Sequence, residues 1–256
     1  MNRLLMTLRI LLTFALGLLI TAAQAQRTLT LAAEDDWAPY SSMKADRSGV
    51  EGLSPDLVRA AFRTQDIEVN FLVVPFSRCL MYAETGRVAG CFNATITEAN
   101  RNTYHWHATP LFHEDLAIFA RSDAARAGLT EKHLEGKLVG ITAGYTYPTS
   151  FMTNPRITRQ SANSDANLLN MLAAGRVEYI LLNTMPGYMR IANTPALQGR
   201  VKLVGTLQTD GFWIAFSKQA AGGEALAATF EQGLLAIKAS GEYDRITTRF
   251  RRQFGL

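Results

Sequence analysis

The chain has 256 residues, 48% hydrophobic and 19% charged, and 26 Lys and Arg face 22 Asp and Glu for a formal net charge of +4. That length fills one large domain or two modest lobes with real cores. The basic excess is too small for a nucleic-acid surface, which needs a concentrated basic stripe; Arg249, Arg251 and Arg252 cluster only at the end of a terminal helix, as solvated charge.

Arg3 and Arg9 open the chain, residues 10–20 are apolar apart from Thr13 and Gly17, and Ala23-Gln24-Ala25 places small residues where a signal peptidase reads. This order predicts a secretory signal over residues 1–25. The apolar run is shorter than the ~20 residues of a membrane span, and no cysteine directly follows it to carry a lipid anchor. Cleavage after Ala25 leaves 231 residues with 24 basic against 22 acidic side chains, a net charge of +2. No later segment is long and apolar enough to cross a bilayer, so the mature protein is expected to be soluble. Its two cysteines, Cys79 and Cys91, lie in the exported part. An oxidising compartment favours a disulfide joining a helix to the strand after it; the alternative is two buried thiols packed as small hydrophobes.

Residues 28–33 alternate and predict a strand, followed by the polar loop Glu34-Asp35-Asp36-Trp37-Ala38-Pro39-Tyr40. Ser54 is expected to cap a helix with Pro55 at its first position, burying Leu57, Val58, Ala61 and Phe62 at i,i+4 spacing. Residues 69–74 predict a second strand, Ser77 a second cap, and 88–92 a buried strand that ends in Asn93-Ala94-Thr95. Strand, helix, strand alternation implies a parallel sheet covered by helices. The unit then repeats. Residues 137–142 predict a strand, Gly144-Tyr145-Thr146-Tyr147-Pro148 a loop, Ser164 or Asp165 a cap before Leu168, Leu169 and Leu172, Gly175 a stop, and 177–182 a strand ending at Asn183. Residues 212–216 predict a further strand, and two helices follow, one with Phe230, Leu234 and Ile237 on a face, one with Ile246, Phe250 and Phe254. In open α/β sheets ligands sit outside the carboxyl ends of the strands, so two such units facing each other would enclose a cleft.

Motifs for chemistry are mostly missing. Gly52-Leu53-Ser54-Pro55-Asp56 lacks the second glycine of a nucleophile elbow, and no phosphate loop, dinucleotide fingerprint or His-Glu-x-x-His is present. His105 and His107 share a strand face with His113 nearby, but no carboxylate or thiolate stands at ligand spacing, so no metal and no cofactor are expected. The first loop is different: Glu34, Asp35 and Asp36 beside Trp37 and Tyr40 have the composition of a small-ligand site. The alternative is a solvated acidic turn with Trp37 folded into the core.

These segments resemble the family 3 extracellular solute-binding proteins, periplasmic receptors of polar amino-acid ABC transporters, from Leu29 to Phe254. Glu34-x-x-Trp37-Ala38-Pro39-Tyr40 is similar to the family's acid-x-x-aromatic-x-Pro-aromatic opening, and Gly52-Leu53-Ser54-Pro55-Asp56-Leu57 to its helix entry. Pro75-Phe76, Ile96-Thr97, Leu134-Glu135-Gly136-Lys137-Leu138-Val139-Gly140 and Ala239-Ser240-Gly241-Glu242-Tyr243 follow in the family's order.

The resemblance implies an α/β, two-lobed periplasmic-binding-protein fold of type II joined by hinge strands. Lobe one would hold 27–117 and 209–256, lobe two 118–208. It implies a soluble, periplasmic monomer that captures a small polar ligand, an amino acid or a related compound, for an inner-membrane ABC permease. The family clamps an amino acid between aromatics, holding its carboxylate with an arginine and its amine with an aspartate. Here Arg101 or, by a one-residue shift, Asn100 takes the arginine's place, and Asn183 that of the aspartate, with Glu34 able to supply the missing charge. The implied ligand set is Glu34, Trp37, Tyr40, Phe76, Arg78, Asn93, Thr95 and Arg101 from lobe one, with Tyr145, Thr146 and Asn183 opposite. A dehydratase-like enzyme on the same scaffold and a ligand sensor for a membrane receptor are the alternatives, although no acid–base constellation is legible.

Overall fold

The computed structural model describes residues 27–123 and 126–254; the expected signal at 1–25 lies outside the described residues. In chain order the strands are β1 (Arg27–Glu34), β2 (Asp36–Trp37), β3 (Ser41–Met43), β4 (Val50–Glu51), β5 (Ile67–Val74), β6 (Gly90–Ala94), β7 (Tyr104–His105), β8 (Phe112–Arg121), β9 (Leu138–Thr142), β10 (Thr158–Ala162), β11 (Tyr179–Asn183) and β12 (Val201–Ser217). The helices are α1 (Leu53–Arg63), α2 (Phe76–Glu84), α3 (Thr149–Thr153), α4 (Asp165–Ala173), α5 (Thr184–Ala192), α6 (Gly223–Ala239) and α7 (Glu242–Phe254).

The main sheet runs β10-β9-β11-β8-β12-β6-β1-β5, with β7 on β12 and a separate β2-β3-β4 ribbon. β1 pairs in parallel with β5 and β6, and β9 with β10 and β11. Between these two parallel sets stand β8 and β12, paired antiparallel. The 17 residues of β12 serve both sets: Val201 to Phe212 lie along β8, Trp213 to Phe216 along β6. Its register shifts between Leu203 and Gly205, between Thr206 and Gln208, and between Trp213 and Ile214. Extra residues of this kind bend and twist a strand, which carries one chain segment from one half of the molecule into the other. The expected boundaries at 117 and 208 fall within β8 and β12.

Alternation along the strands sorts side chains to the two faces of each half. In β1, Leu29, Leu31 and Ala33 join the core under α1 and α6, while Ala32 faces α2. In β8, Leu116, Ile118 and Ala120 join one core of the other half, Ala117 and Phe119 the other. The expected helical faces are buried: Leu57, Val58, Ala61 and Phe62 in α1, Leu168, Leu169 and Leu172 in α4, and Phe230, Leu234 and Ile237 in α6. Truncating a fully enclosed leucine such as Leu172 to Ala costs about 2–5 kcal/mol. Cys79 in α2 is disulfide-bonded to Cys91 in β6, with Cα atoms 5.4 Å apart.

Several local expectations are corrected. Ser54 does not cap α1. Gly52 does, at φ 127°, where an added Cβ would stand 2.4 Å from the Tyr40 carbonyl oxygen. Ser54 is the second residue of the helix and donates its hydroxyl to Asn93 Oδ1 at 2.5 Å. Pro75, not Ser77, precedes α2. Ser164 does cap α4, accepting from the Asn167 N–H at 3.2 Å. The strands expected at 88–92 and 177–182 run instead as β6 and β11, two residues further along at their starts.

Candidate functional site

The parallel strands of both halves end at one crevice. Glu34 is the last residue of β1, Phe76 the first of α2 after β5, Asn93 lies near the end of β6, and Thr95 follows it. Opposite them, Tyr145 and Thr146 follow β9, and Asn183 ends β11. With Trp37 of β2, Leu116 of β8, and Asp210 and Phe212 of β12, these residues line a narrow cavity that is partly open to solvent. Ligand sites at strand carboxyl ends follow from open helix N-termini and loops free of packing duty.

Tyr145 ties the two sides together. Its hydroxyl donates to Glu34 Oε1 at 2.6 Å, and its ring meets Phe76 edge-on at 5.6 Å between centroids. One residue earlier Gly144, at φ 81°, brings the β9 loop so near α2 that a Cβ would stand 2.8 Å from that of Ser77. At the rim, Arg190 of α5 donates to the Asp36 carbonyl at 2.6 Å and pairs with Asp36 Oδ1 at 2.7 Å. Its Nε is 3.7 Å from Asp165 Oδ2, an ion pair too long for a hydrogen bond.

The electrostatics are acidic. Burial raises the Glu34 carboxyl well above its ordinary range; the Tyr145 hydrogen bond lowers it in part, and Asp165, Asp35 and Asp36 raise it further. Asp165 accepts from the Thr142 hydroxyl at 2.6 Å, and burial pushes it up to about 6 against the pull of Thr142 and Arg190. Asp210 is raised by burial too, with Gln208 donating to its Oδ1 at 2.6 Å. Burial works against the Arg190 charge, but Asp165 and Asp36 more than offset it and raise its pKa.

Asn93 is buried at φ 65°, its Oδ1 taken by Ser54 and its Nδ2 without a partner. A left-handed non-glycine residue at a strand end is a strained position of the sort found where ligands are held.

Three expected contacts do not reach the cavity. Tyr40 is buried behind Trp37, stacks on Phe112 at 4.6 Å and donates its hydroxyl to Glu114 at 2.5 Å. That carboxylate also accepts from the Met185 N–H at 2.7 Å. Arg78 is exposed on α2, where its charge acts on Asp35. Arg101 is exposed, its carbonyl accepting from Trp106 Nε1 at 3.1 Å. Asn100, the other choice for its role, is spent on a local turn, accepting from the Thr97 N–H and donating to the Thr95 carbonyl. Conversely, sequence reasoning missed Leu116, Asp210 and Phe212. They belong to the crossing strands, whose mixed polarity gives no clean period; the lone acid before the apolar run at 212–216 was the one available signal.

The sequence profile of bacterial extracellular solute-binding proteins, family 3, matches residues 29–253. No curated protein matches the sequence. Solved structures share the fold. An ancestral arginine-binding protein bound to arginine superposes with a TM-score of 0.73 at 21% identity, over 87% of this chain and 97% of that one. A histidine kinase sensor domain similar to periplasmic binding proteins gives 0.74 at 22%, over 88% and 96%. An amino acid ABC transporter substrate-binding protein of Streptococcus pneumoniae bound to L-arginine gives 0.71 at 18%, over 91% and 98%.

Proposed function

The chain belongs to the bacterial extracellular solute-binding proteins, family 3, and from that membership we propose that it is a periplasmic, monomeric binding protein that captures a small polar ligand between its lobes and hands it to an inner-membrane ABC permease. The observation that carries this reading is the single crevice where strand ends of both halves meet, lined by aromatic rings and polar groups and crossed by β8 and β12. Two crossing strands form a hinge about which the lobes open and close. Among the described residues no helix is long and apolar enough to cross a membrane, in keeping with a freely diffusing receptor.

Glu34, Trp37, Phe76, Asn93, Thr95, Tyr145, Thr146 and Asn183 are the ligand contacts proposed from the expected set, joined by Asp210 and Phe212. Native mass spectrometry of the gently purified mature protein tests the proposal. A non-covalent small-molecule adduct, lost on denaturation and restored on adding back the compound, is expected. A protein that carries no adduct and responds to no member of a broad solute library overturns it. Turnover of the compound would point instead to an enzyme on this scaffold.

The likeness to a histidine kinase sensor domain favours a second reading, a ligand sensor that docks on a membrane receptor. Cells lacking the protein separate the two: lost uptake of the bound compound supports delivery, and intact uptake with a lost response supports sensing.

A further inference from the structure

We infer that the cleft selects an organic cation that carries no carboxylate, an amine or guanidine in place of a free α-amino acid. This rests on the crevice being the ligand site proposed above. Two carboxylates, Glu34 and Asp210, line the cavity, and no Lys, Arg or His does so among the described residues. The nearby positive charges are elsewhere. Arg78 and Arg101 do not line the cavity, and Arg190 is held by Asp36 at 2.7 Å with Asp165 beside it.

A ligand carboxylate entering this space would give up its hydration to meet two acidic groups and no counter-ion, which is the costly case for a buried ion. A cation meets the opposite conditions. It favours the ionised form of Glu34 and Asp210 and is attracted by it, and Trp37, Phe76 and Phe212 add aromatic rings, whose π faces favour positive charge over negative. It also relieves the mutual repulsion that Asp35, Asp36 and Asp165 impose on Glu34. Tyr145 marks the direction of approach, since its hydroxyl already donates to Glu34 Oε1, as a ligand N–H would. The unpartnered Asn93 Nδ2, on a buried side chain at the cavity wall, is a neutral donor. It suits a hydroxyl or carbonyl on the ligand and does not neutralise a carboxylate.

Calorimetry on the mature protein with matched pairs tests this: agmatine against arginine, cadaverine against lysine, histamine against histidine, tyramine against tyrosine. Each pair differs by the carboxylate alone. At least one amine is expected to bind ten-fold or more tightly than its parent amino acid, and Glu34→Gln and Asp210→Asn each to weaken it ten-fold or more at an unchanged fold by circular dichroism. An amino acid that binds as tightly as its amine, or no binding by any of the four amines, overturns the inference. Solute capture itself still stands if any of the four amino acids binds in the same titrations, and falls only if no member of the broad solute library binds either.

Discussion

The Tyr145 hydroxyl and the Glu34 carboxylate meet at 2.6 Å across the cleft, although 111 residues separate them in the chain. Glu34 closes β1 and Tyr145 lies in the loop after β9, in different halves, so the bond exists only while the two halves are together. Removing the hydroxyl leaves a buried carboxyl oxygen without its donor, a cost of about 1–3 kcal/mol. Tyr145→Phe is therefore expected to shift the protein toward an open form, seen as a larger radius of gyration in solution scattering before any ligand is added. An unchanged radius would mean that other contacts, such as Arg190 with Asp36, hold the halves on their own.

Asp165 carries a pH dependence whose sign follows from its surroundings. Burial holds its carboxyl at about 6, above the ordinary 3.8, so the folded form binds that proton more tightly than the unfolded chain. The resulting stabilisation is full below pH 3.8 and is lost as the pH rises through 6. Asp165→Asn keeps an acceptor for Thr142 and removes the titration. The variant should gain on the natural protein between pH 4 and 7 by up to about 3 kcal/mol, read as a growing difference in melting temperature. His107 acts in the other direction: burial lowers it to about 4, so stability falls as the pH drops below 6.5. That slope is common to both proteins and cancels in the difference. A difference independent of pH would sink the assignment.

Trp37 and Phe76 both line the cavity, but they are embedded differently. The Trp37 ring lies among Tyr40 at 4.8 Å, Phe212 at 5.0 Å and Phe112 at 6.4 Å. Trp37→Ala is expected to lower stability by about 3–5 kcal/mol along with affinity. Phe76 meets Tyr145 edge-on from the other side of the crevice. Phe76→Ala should weaken binding by about 0.5–2 kcal/mol if the ligand is a cation, with a smaller fall in melting temperature than Trp37→Ala. Thermal melts and calorimetry on the two variants check the order; unaltered affinity in both would mean that these rings serve packing alone.

The Cys79–Cys91 disulfide, whose ends are 12 apart in sequence, restricts the unfolded chain by about 3 kcal/mol. The double variant Cys79→Ala, Cys91→Ala should lose about that much in denaturant unfolding while keeping its affinity, since neither cysteine lines the cavity. A loss of affinity with little loss of stability would instead tie the bond to the position of Phe76 and Asn93.

Short-range patterning was enough to read most helices and the parallel strands other than β10. Leu57, Val58, Ala61 and Phe62 recur at the helical period, and the alternation at 28–33 matches a strand that exposes Thr28 and Thr30 and buries Leu29 and Leu31. The ends of those strands were also legible, because Glu34, Asn93 and Asn183 are polar residues at the close of apolar runs, and strand ends are where such sheets place ligands. Capping was less legible. Ser54 has the chemistry of a cap, but its hydroxyl finds Asn93 in another element, and the backbone at Gly52 alone can make the turn under Tyr40.

From the sequence alone came the two repeated α/β units, the disulfide partners and the loops that reach the crevice, all of them set by periodicity and by residues close together in the chain. Strand β8, and β12 before its apolar end at 212–216, required the tertiary structure, because a strand that crosses between two halves has no constant inside and outside and so shows no period to read. With them went Asp210 and Phe212, which give the cavity its second acid and another ring. Charge pairing was decided there too. Arg190 lies 154 residues from Asp36, and only folding puts it beside Asp36 and Asp165, while Arg78 and Arg101 remain outside. Which charges neighbour a buried site depends on distances between separate elements, and those distances are not written in any local stretch of chain.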